Sequence, residues 1–176
     1  MIDLLKNWPV GEPVPAISLR QPWASAVAFF SKDIENRSNW PFKHRGPLII
    51  HASKTVPYGE DFERFIELAK EADFTDEDLE GISANSYRSG LFPQGYILGV
   101  ANLAEVFRNG DTIPDEHPVH ESRWKSTDAK YWLYLEEFTN VNPVRFKGFV
   151  GLFKVPYEIA AALKEVREGD TIQFVD

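Results

Sequence analysis

Three runs between Ile17 and Lys54 carry most of the information in this sequence: ISLRQPWAS (17–25), KDIENRSNW (32–40) and HRGPLIIHASK (44–54). With the residues between them they hold six of the 19 lysines and arginines and only two acids, a net charge of +4. The whole chain has a net charge of -8, and residues 55–90 alone hold ten acids against three bases. Positive charge is concentrated in one segment of an acidic chain, and we expect the functional chemistry there.

This segment predicts a local order of strand, helix, strand, loop and strand. Short apolar runs predict strands at 16–19, 34–37 and 48–52, with a loop at 40–47. Trp23, Ala26, Val27 and Phe30 recur at helical spacing, so a short helix should pack its apolar face on the sheet, with Trp23 in the core. In the second strand Glu35 and Arg37 would share one face, because side chains alternate along a strand.

The flanking segments are predicted to be an arm and an acidic insertion. Residues 1–15 contain three prolines and are expected to form an extended N-terminal arm. Residues 58–72 show the pattern of an amphipathic helix, and Thr75 with Asp78 resembles the capping box of a second, weaker helix. We interpret this acidic helical insertion, at about 56–88, as a solvated surface; an acidic flank that repels phosphate from one side of a basic cleft is the alternative.

The second half of the chain is predicted to be mostly β structure. The predicted elements are a strand at 95–107 with a bulge near Gly99, a loop at 108–126, strands at 131–138 and 149–155 around an Asn142-Pro143 turn, a helix from Pro156 to Gly169, and an edge strand at 171–175. Roughly six strands with three or four peripheral helices predict an α+β fold around a small mixed β-barrel.

Length and composition limit the class of protein. A chain of 176 residues fits one domain, and without cysteine it has neither a disulfide framework nor a thiolate site. No run approaches the ~18 apolar residues that a membrane span requires, so we expect a protein that contacts no membrane. We also expect it to be cytoplasmic and monomeric. A net charge of -8 disfavours indiscriminate binding to nucleic acid, so any such contact must be local.

Common catalytic and cofactor motifs are missing from the sequence. It contains no phosphate-binding glycine loop, no dinucleotide fingerprint, no nucleophile elbow and no zinc-protease motif. His117 and His120 are three residues apart with acids beside them, but a proline-rich loop without a third fixed ligand favours a solvated surface over a metal site. The sequence therefore predicts no metal and no cofactor.

Lys32, Glu35 and Arg37 form the strongest candidate site. A carboxylate between two cations stays ionised, and a lysine beside it can donate a proton or, when buried, accept one. Spacing alone favours a surface salt-bridge cluster, because such charge pairs are common and weak. The residues by themselves leave both interpretations open.

The same residues resemble a known family. The ASCH domain has the signature Gly-x-Lys-x-x-Glu-x-Arg, and three of its four fixed positions match as Lys32, Glu35 and Arg37, while Phe30 stands at the position of the glycine. Further similar runs are SLRQPWAS (18–25), RGPLIIHA (45–52), FPQGYILG (92–99) and YWLY (131–134). The resemblance covers roughly residues 16–155. It implies a single PUA-like domain at 16–176, a small mixed β-barrel with flanking helices.

The resemblance implies a basic cleft that binds RNA or a nucleotide. The residues expected to contact the ligand are Arg20, Lys32, Glu35, Arg37, Trp40, Lys43, Arg45 and Lys54. In this hypothesis Lys32, Glu35 and Arg37 line a pocket, Lys43 and Arg45 hold phosphate, and Trp40 or Phe42 in an exposed loop stacks on a base. Trp124 and Trp132 are expected to be structural.

Two alternatives to binding stay open. Some bacterial members of the family remove the acetyl group from N4-acetylcytidine, which implies a hydrolase on a modified nucleoside, or a ribonuclease, with Lys32 as general acid or base and Glu35 orienting water. Those amidohydrolases have a threonine at the position of Glu35. The other alternative is a protein-interaction module that uses the acidic helices. We favour RNA or nucleotide binding, and the sequence leaves catalysis undecided.

Overall fold

A computed structural model describes residues 2–56, 58–83, 91–167 and 169–176 of the chain. Its elements follow one another as β1 (Val14–Leu19), α1 (Trp23–Phe29), β2 (Ile34–Arg37), β3 (Gly46–Ala52), α2 (Gly59–Glu71), β4 (Tyr96–Arg108), β5 (Tyr131–Arg145), β6 (Leu152–Val155) and α3 (Tyr157–Ala161). Short 3-10 helices cover Asp3–Leu5 and Pro118–His120. The predicted order of elements in the first third of the chain is confirmed.

The six strands form one mixed sheet in the order β2-β5-β4-β3-β1-β6. β1 and β3 run parallel, with Ser18 opposite His51, and every other neighbouring pair is antiparallel. Over the described residues no pairing joins the edge strands β2 and β6, so the fold is α+β but the predicted closed barrel is not confirmed. Register shifts between β4 and β5 bend these long strands, but the sheet stays open over the described residues.

β5 (Tyr131–Arg145) continues through Asn142 and Pro143, where the sequence predicted a turn after a strand at 131–138. The second predicted strand, 149–155, is the separate strand β6 (Leu152–Val155). Pro143 lies inside β5, between the residues that pair with Gly99 and Ile97 of β4. The register shifts at this point, so Pro143 is not required to donate a ladder hydrogen bond and the strand continues through it. The predicted bulge near Gly99 is confirmed. A Cβ at Gly99 would lie 2.4 Å from the carbonyl oxygen of Thr139, so the close approach of β5 requires glycine there.

The C-terminal segment differs from its prediction. α3 ends at Ala161, and the predicted edge strand is reduced to a single bridge between Val175 and Val144. Beyond α3 the chain runs beside β5, where the amide of Val166 donates to the carbonyl of Asn140 at 2.9 Å. Hydrogen bonds of this kind to β5 replace further helical turns, because they satisfy the backbone amide and carbonyl groups that a longer helix would satisfy.

The N-terminal residues differ from the expected extended arm. Residues 3–5 form a 3-10 helix, and β1 begins at Val14, two residues earlier than predicted. Ile2 and Leu5 are buried in an apolar cluster that also contains Leu163. The prolines favour an extended arm, but burial of Ile2 and Leu5 removes apolar area from water and holds this segment against the fold.

Over its described residues the acidic insertion contains one α-helix where the sequence predicted two. α2 buries Phe62, Phe65, Leu68 and Ala69 on one face, as its apolar spacing predicts. Thr75 and Asp78 do exchange side-chain and backbone hydrogen bonds of 2.7 and 3.2 Å, but residues 76–81 form turns. The remainder of the predicted insertion, 84–88, lies outside the described residues. Among the helices that the structure describes, none is both long and apolar enough to cross a membrane.

Candidate functional site

The candidate site begins at the turn between α1 and β2. Phe30, at the position of the signature glycine, has φ -128° and packs its ring on Phe65 with the centroids 4.9 Å apart. Ser31 takes the left-handed conformation instead, with φ 54°. The turn therefore needs no glycine at position 30, and it leads into Lys32, whose amide donates to the carbonyl of Ala26 at 3.1 Å.

Lys32, Glu35 and Arg37 lie together below the surface. The Nζ of Lys32 is 2.9 Å from Oε2 of Glu35, and Nε of Arg37 is 3.0 Å from Oε1. The three side chains are 2%, 10% and 23% exposed, which excludes a solvated surface cluster. Lys32 also donates to the carbonyl of Ile34, and Nη2 of Arg37 donates to the carbonyl of Ser18 at 3.2 Å. Nε of Arg37 approaches Glu35 without the alignment of a hydrogen bond.

Two opposing effects determine the ionisation of Glu35. Burial alone would raise its pKa, but the positive charges of Lys32 and Arg37, the hydrogen bond from Lys32 and the charge of Arg20 together hold the pKa below its ordinary value. Glu35 is therefore a carboxylate at neutral pH. A carboxylate offers about four acceptor positions, so Glu35 can still accept hydrogen bonds from a ligand.

These residues line a cavity of about 480 Å³, which we call the first cavity. Its volume is within the range of about 300–1,000 Å³ typical of small-molecule sites. The described lining holds one carboxylate, that of Glu35, and six cationic side chains: Arg20, Lys32, Arg37, Arg64, Arg123 and Lys125. In the described lining of the first cavity basic side chains therefore outnumber carboxylates six to one, in a chain whose net charge is -8.

α2 partly neutralises this charge. Arg20 lies 3.6 Å from Asp61, and Arg64 lies 3.0 Å from Glu67. Neither basic residue of the loop at 122–126 forms an ion pair with any residue that the structure describes. These loop cations therefore remain available to an anionic ligand.

The loop at 122–126 contributes site residues that the sequence did not predict. The side chain of Asn36, on β2, donates to the carbonyl of Trp124 at 2.7 Å and accepts from the amide of Ser126 at 2.9 Å. This pair of bonds holds Arg123 and Lys125 at the first cavity. The alternation of basic and aromatic residues at 123–125 is the sequence signal that points to this loop, since single-stranded nucleic acid is bound by such combinations.

Trp23 also differs from its prediction. Its ring was expected in the core, but it is only partly buried and lines the first cavity. Its Nε1 donates to Asp61 of α2 at 3.2 Å. Trp23 is the first residue of α1, so its side chain reaches past the sheet toward α2 while the rest of the helical face packs inward.

The predicted phosphate-binding loop does not reach the first cavity. Trp40 is only 5% exposed and packs in the core with α1, so its ring is not available to a base. Phe42 packs edge-on against it with the centroids 5.0 Å apart. Lys43 and Arg45 are exposed and do not line this cavity, because burial of Trp40 holds their loop against the core. Lys54 lies at a neighbouring cavity described below.

No metal centre forms among the described residues. They contain no group of three or more side chains that could hold a metal ion. Nε2 of His117 lies 3.2 Å from Oε1 of Glu105, and Nε2 of His120 lies 3.0 Å from the carbonyl of Pro114. The two histidines thus have separate partners.

Comparison with known proteins identifies the family. No curated protein sequence matches the chain. A crystal structure of ASCH from Zymomonas mobilis is 13% identical with a TM-score of 0.48, over 88% of this chain and 99% of that chain. A single-residue variant of that protein is 12% identical with a TM-score of 0.48, over 87% and 100%. The family model of the ASCH domain matches residues 17–150, which is most of the sequence, and the chain therefore belongs to the ASCH domain family.

Proposed function

We propose that this protein binds single-stranded RNA or a nucleotide in the first cavity. The observation that carries the proposal is the concentration of six cations and one buried carboxylate around 480 Å³ of space. Phosphate neutralisation by lysine and arginine supplies most of the non-specific affinity for nucleic acid, and an acidic chain can supply it only locally.

The floor of the first cavity has the groups needed to recognise a base. Lys32 provides a donor and Glu35 an ionised acceptor, 2.9 Å apart, so together they match a base edge that carries both an acceptor and an amino group. Trp23 adds an aromatic wall, and stacking on an aromatic ring contributes ~1–3 kcal/mol per base. We assign Arg20, Arg37, Arg123 and Lys125 to the phosphates.

Arg123 allows the proposal to be tested without disturbing the fold, because its side chain is exposed. We expect Arg123→Ala to weaken binding of a short single-stranded RNA severalfold, and to reduce the slope of log affinity against log salt by about 0.7–1. The measurement is fluorescence anisotropy at about 50 and 200 mM salt.

Arg45→Ala is the matched control. Arg45 is also exposed and basic but lies outside the first cavity, so this change should leave the affinity and the salt slope unaltered. Equal losses in the two variants would indicate a general charge effect and contradict the proposed site. Absence of binding in the parent protein at low salt would exclude the function altogether.

Hydrolysis is the second candidate, favoured by the buried contact between Lys32 and Glu35. The geometry supports it less well than binding, because a carboxylate whose pKa is lowered by two cations is a weak general base. The test is turnover of acylated nucleosides and RNA oligomers by the parent protein and by Lys32→Gln. Turnover that disappears in Lys32→Gln under conditions where this variant is folded, while Arg45→Ala retains it, would establish the hydrolase. Turnover that survives in Lys32→Gln would exclude this mechanism.

A further inference from the structure

A second cavity, of about 890 Å³, adjoins the first one. Its walls come from the end of β3 and the residues after it, and from the segment 145–151. Ser18, Arg20 and Arg37 line both cavities, so these three residues form the partition between them. A ligand that passes over the partition contacts both spaces.

The second cavity is cationic throughout its described lining. It contains no carboxylate and five basic side chains: Arg20, Arg37, Lys54, Arg145 and Lys147. Arg145 is paired with Asp176 at 2.8 Å, whereas Lys54 and Lys147 have no ion pair with any described residue. Unpaired lysines around a concave space favour an anionic occupant.

An exposed aromatic ring stands beside these lysines. Phe149 is 53% exposed and lines the second cavity, and Nζ of Lys147 lies 5.8 Å from its ring centroid. One edge of the ring is supported by Phe153, with the centroids 5.7 Å apart. Cations for the backbone beside an aromatic face for a base are the combination that binds single-stranded nucleic acid.

The segment 145–151, which carries Phe149, is held in place by contacts with His51 and Ser18. Nε2 of His51 donates to the carbonyl of Phe146 at 3.0 Å, so its Nδ1 is the acceptor for the hydroxyl of Ser18 at 2.9 Å. Gly148 lies directly on this pair, and a Cβ there would be 2.4 Å from both the His51 ring and the Ser18 oxygen. This wall of the second cavity is therefore preformed, so less conformational entropy is lost when a ligand binds.

We infer that the second cavity binds the adjacent nucleotide of a single-stranded RNA whose first nucleotide occupies the first cavity. Lys54 and Lys147 hold its phosphate, Phe149 stacks on its base, and the linking phosphodiester lies against Arg20 and Arg37 at the partition. The natural ligand is then an RNA chain of two or more nucleotides. This inference rests on the proposed function of the first cavity.

The test compares ligands that fill one cavity with ligands that fill both. Binding of the four nucleoside 5′-monophosphates and of the four matching homotetranucleotides is measured for the parent protein, Phe149→Ala and Arg123→Ala. We expect Phe149→Ala to weaken tetranucleotide binding on the order of 10-fold while leaving mononucleotide binding unchanged. Arg123→Ala should weaken both. Phe149→Trp should restore tetranucleotide binding, because it retains the aromatic face, whereas Phe149→Leu should not.

The outcomes separate the two proposals. One outcome would overturn the second nucleotide site and leave the first cavity intact: tetranucleotides bind no more tightly than mononucleotides, Phe149→Ala does not change their binding, and Arg123→Ala weakens it. Binding that neither variant alters would overturn both. Because Phe149 is 53% exposed, we expect its substitution to leave the fold intact, and a loss in Phe149→Ala that Phe149→Trp reverses does not come from misfolding.

Discussion

Glu35→Gln is expected to destabilise the protein by about 3–5 kcal/mol, the usual cost of removing one partner of a buried ion pair. The substitution keeps the shape of the side chain and removes its charge. Lys32, which is 2% exposed, then remains buried, and Arg37 partly buried, without the carboxylate that compensates them. Urea denaturation at neutral pH measures the loss as a lower midpoint.

Glu67→Gln is the matched control for this result. Glu67 also accepts from an arginine, Arg64, at 3.0 Å, but both side chains are more than half exposed. Exposed pairs contribute about 0–1 kcal/mol, so this variant should remain close to the parent. Equal effects of Glu35→Gln and Glu67→Gln would show that the buried pair does not stabilise the fold.

The effect of Glu35→Gln should depend on pH. The pKa of Glu35 is lowered in the folded protein relative to its ordinary value of 4.5, so the stabilisation is fully present above that value and is lost as the pH falls through the folded pKa. The difference in free energy of unfolding between parent and variant should therefore shrink on acidification. A difference that stays constant from neutral pH into the acid range would contradict the assignment.

Phe65→Ala is the second large expected effect, a destabilisation of about 3–5 kcal/mol. The Phe65 ring is fully buried and contacts the rings of Phe30, Phe92 and Trp124, with centroids 4.9, 6.0 and 6.3 Å away. It joins α2 both to the turn before Lys32 and to the loop at 122–126. Truncation leaves a cavity at this junction, so chemical denaturation should show a loss of several kcal/mol.

Ile66→Ala provides the control on the same helix. Ile66 is only partly buried, so less apolar area is lost and the destabilisation should be less than half of that for Phe65→Ala. Phe65→Ala should also weaken RNA binding under conditions where the variant is folded, because α2 carries Arg64, which lines the first cavity, and Asp61, which pairs with Arg20. A folded Phe65→Ala variant with unchanged RNA affinity would show that the position of α2 does not matter to the site.

The contacts of α2 change the interpretation of the acidic insertion. Its outer face is acidic and solvated, as its charge pattern indicates. Its inner face, however, supplies Arg64 and Leu68 to the wall of the first cavity and Asp61 to both Arg20 and Trp23. We therefore propose that α2 positions the cationic wall and is not merely an acidic flank.

Local sequence patterns are enough to predict α1, the shared face of β2 and the family of this protein. The spacing of Trp23, Ala26, Val27 and Phe30 is enough to predict α1, and the period of two along β2 is enough to place Glu35 and Arg37 on one face. The family also follows from the local motif, because Lys32, Glu35 and Arg37 lie within six consecutive residues. These features depend on neighbours in the chain, which is why the sequence alone reveals them.

Tertiary structure decided which aromatic and basic residues line the first cavity. Trp40 is buried and Trp23 lines the first cavity, the reverse of what their local patterns predict, because burial depends on which distant element covers a ring. The loop at 122–126 meets β2 through Asn36 across nearly ninety residues of chain, and the segment 145–151 packs on His51 from a similar separation. No periodicity encodes such contacts. The local motif therefore determined the family and the grouping of Lys32, Glu35 and Arg37, whereas packing determined how deeply these residues are buried and which residues form the walls of both cavities.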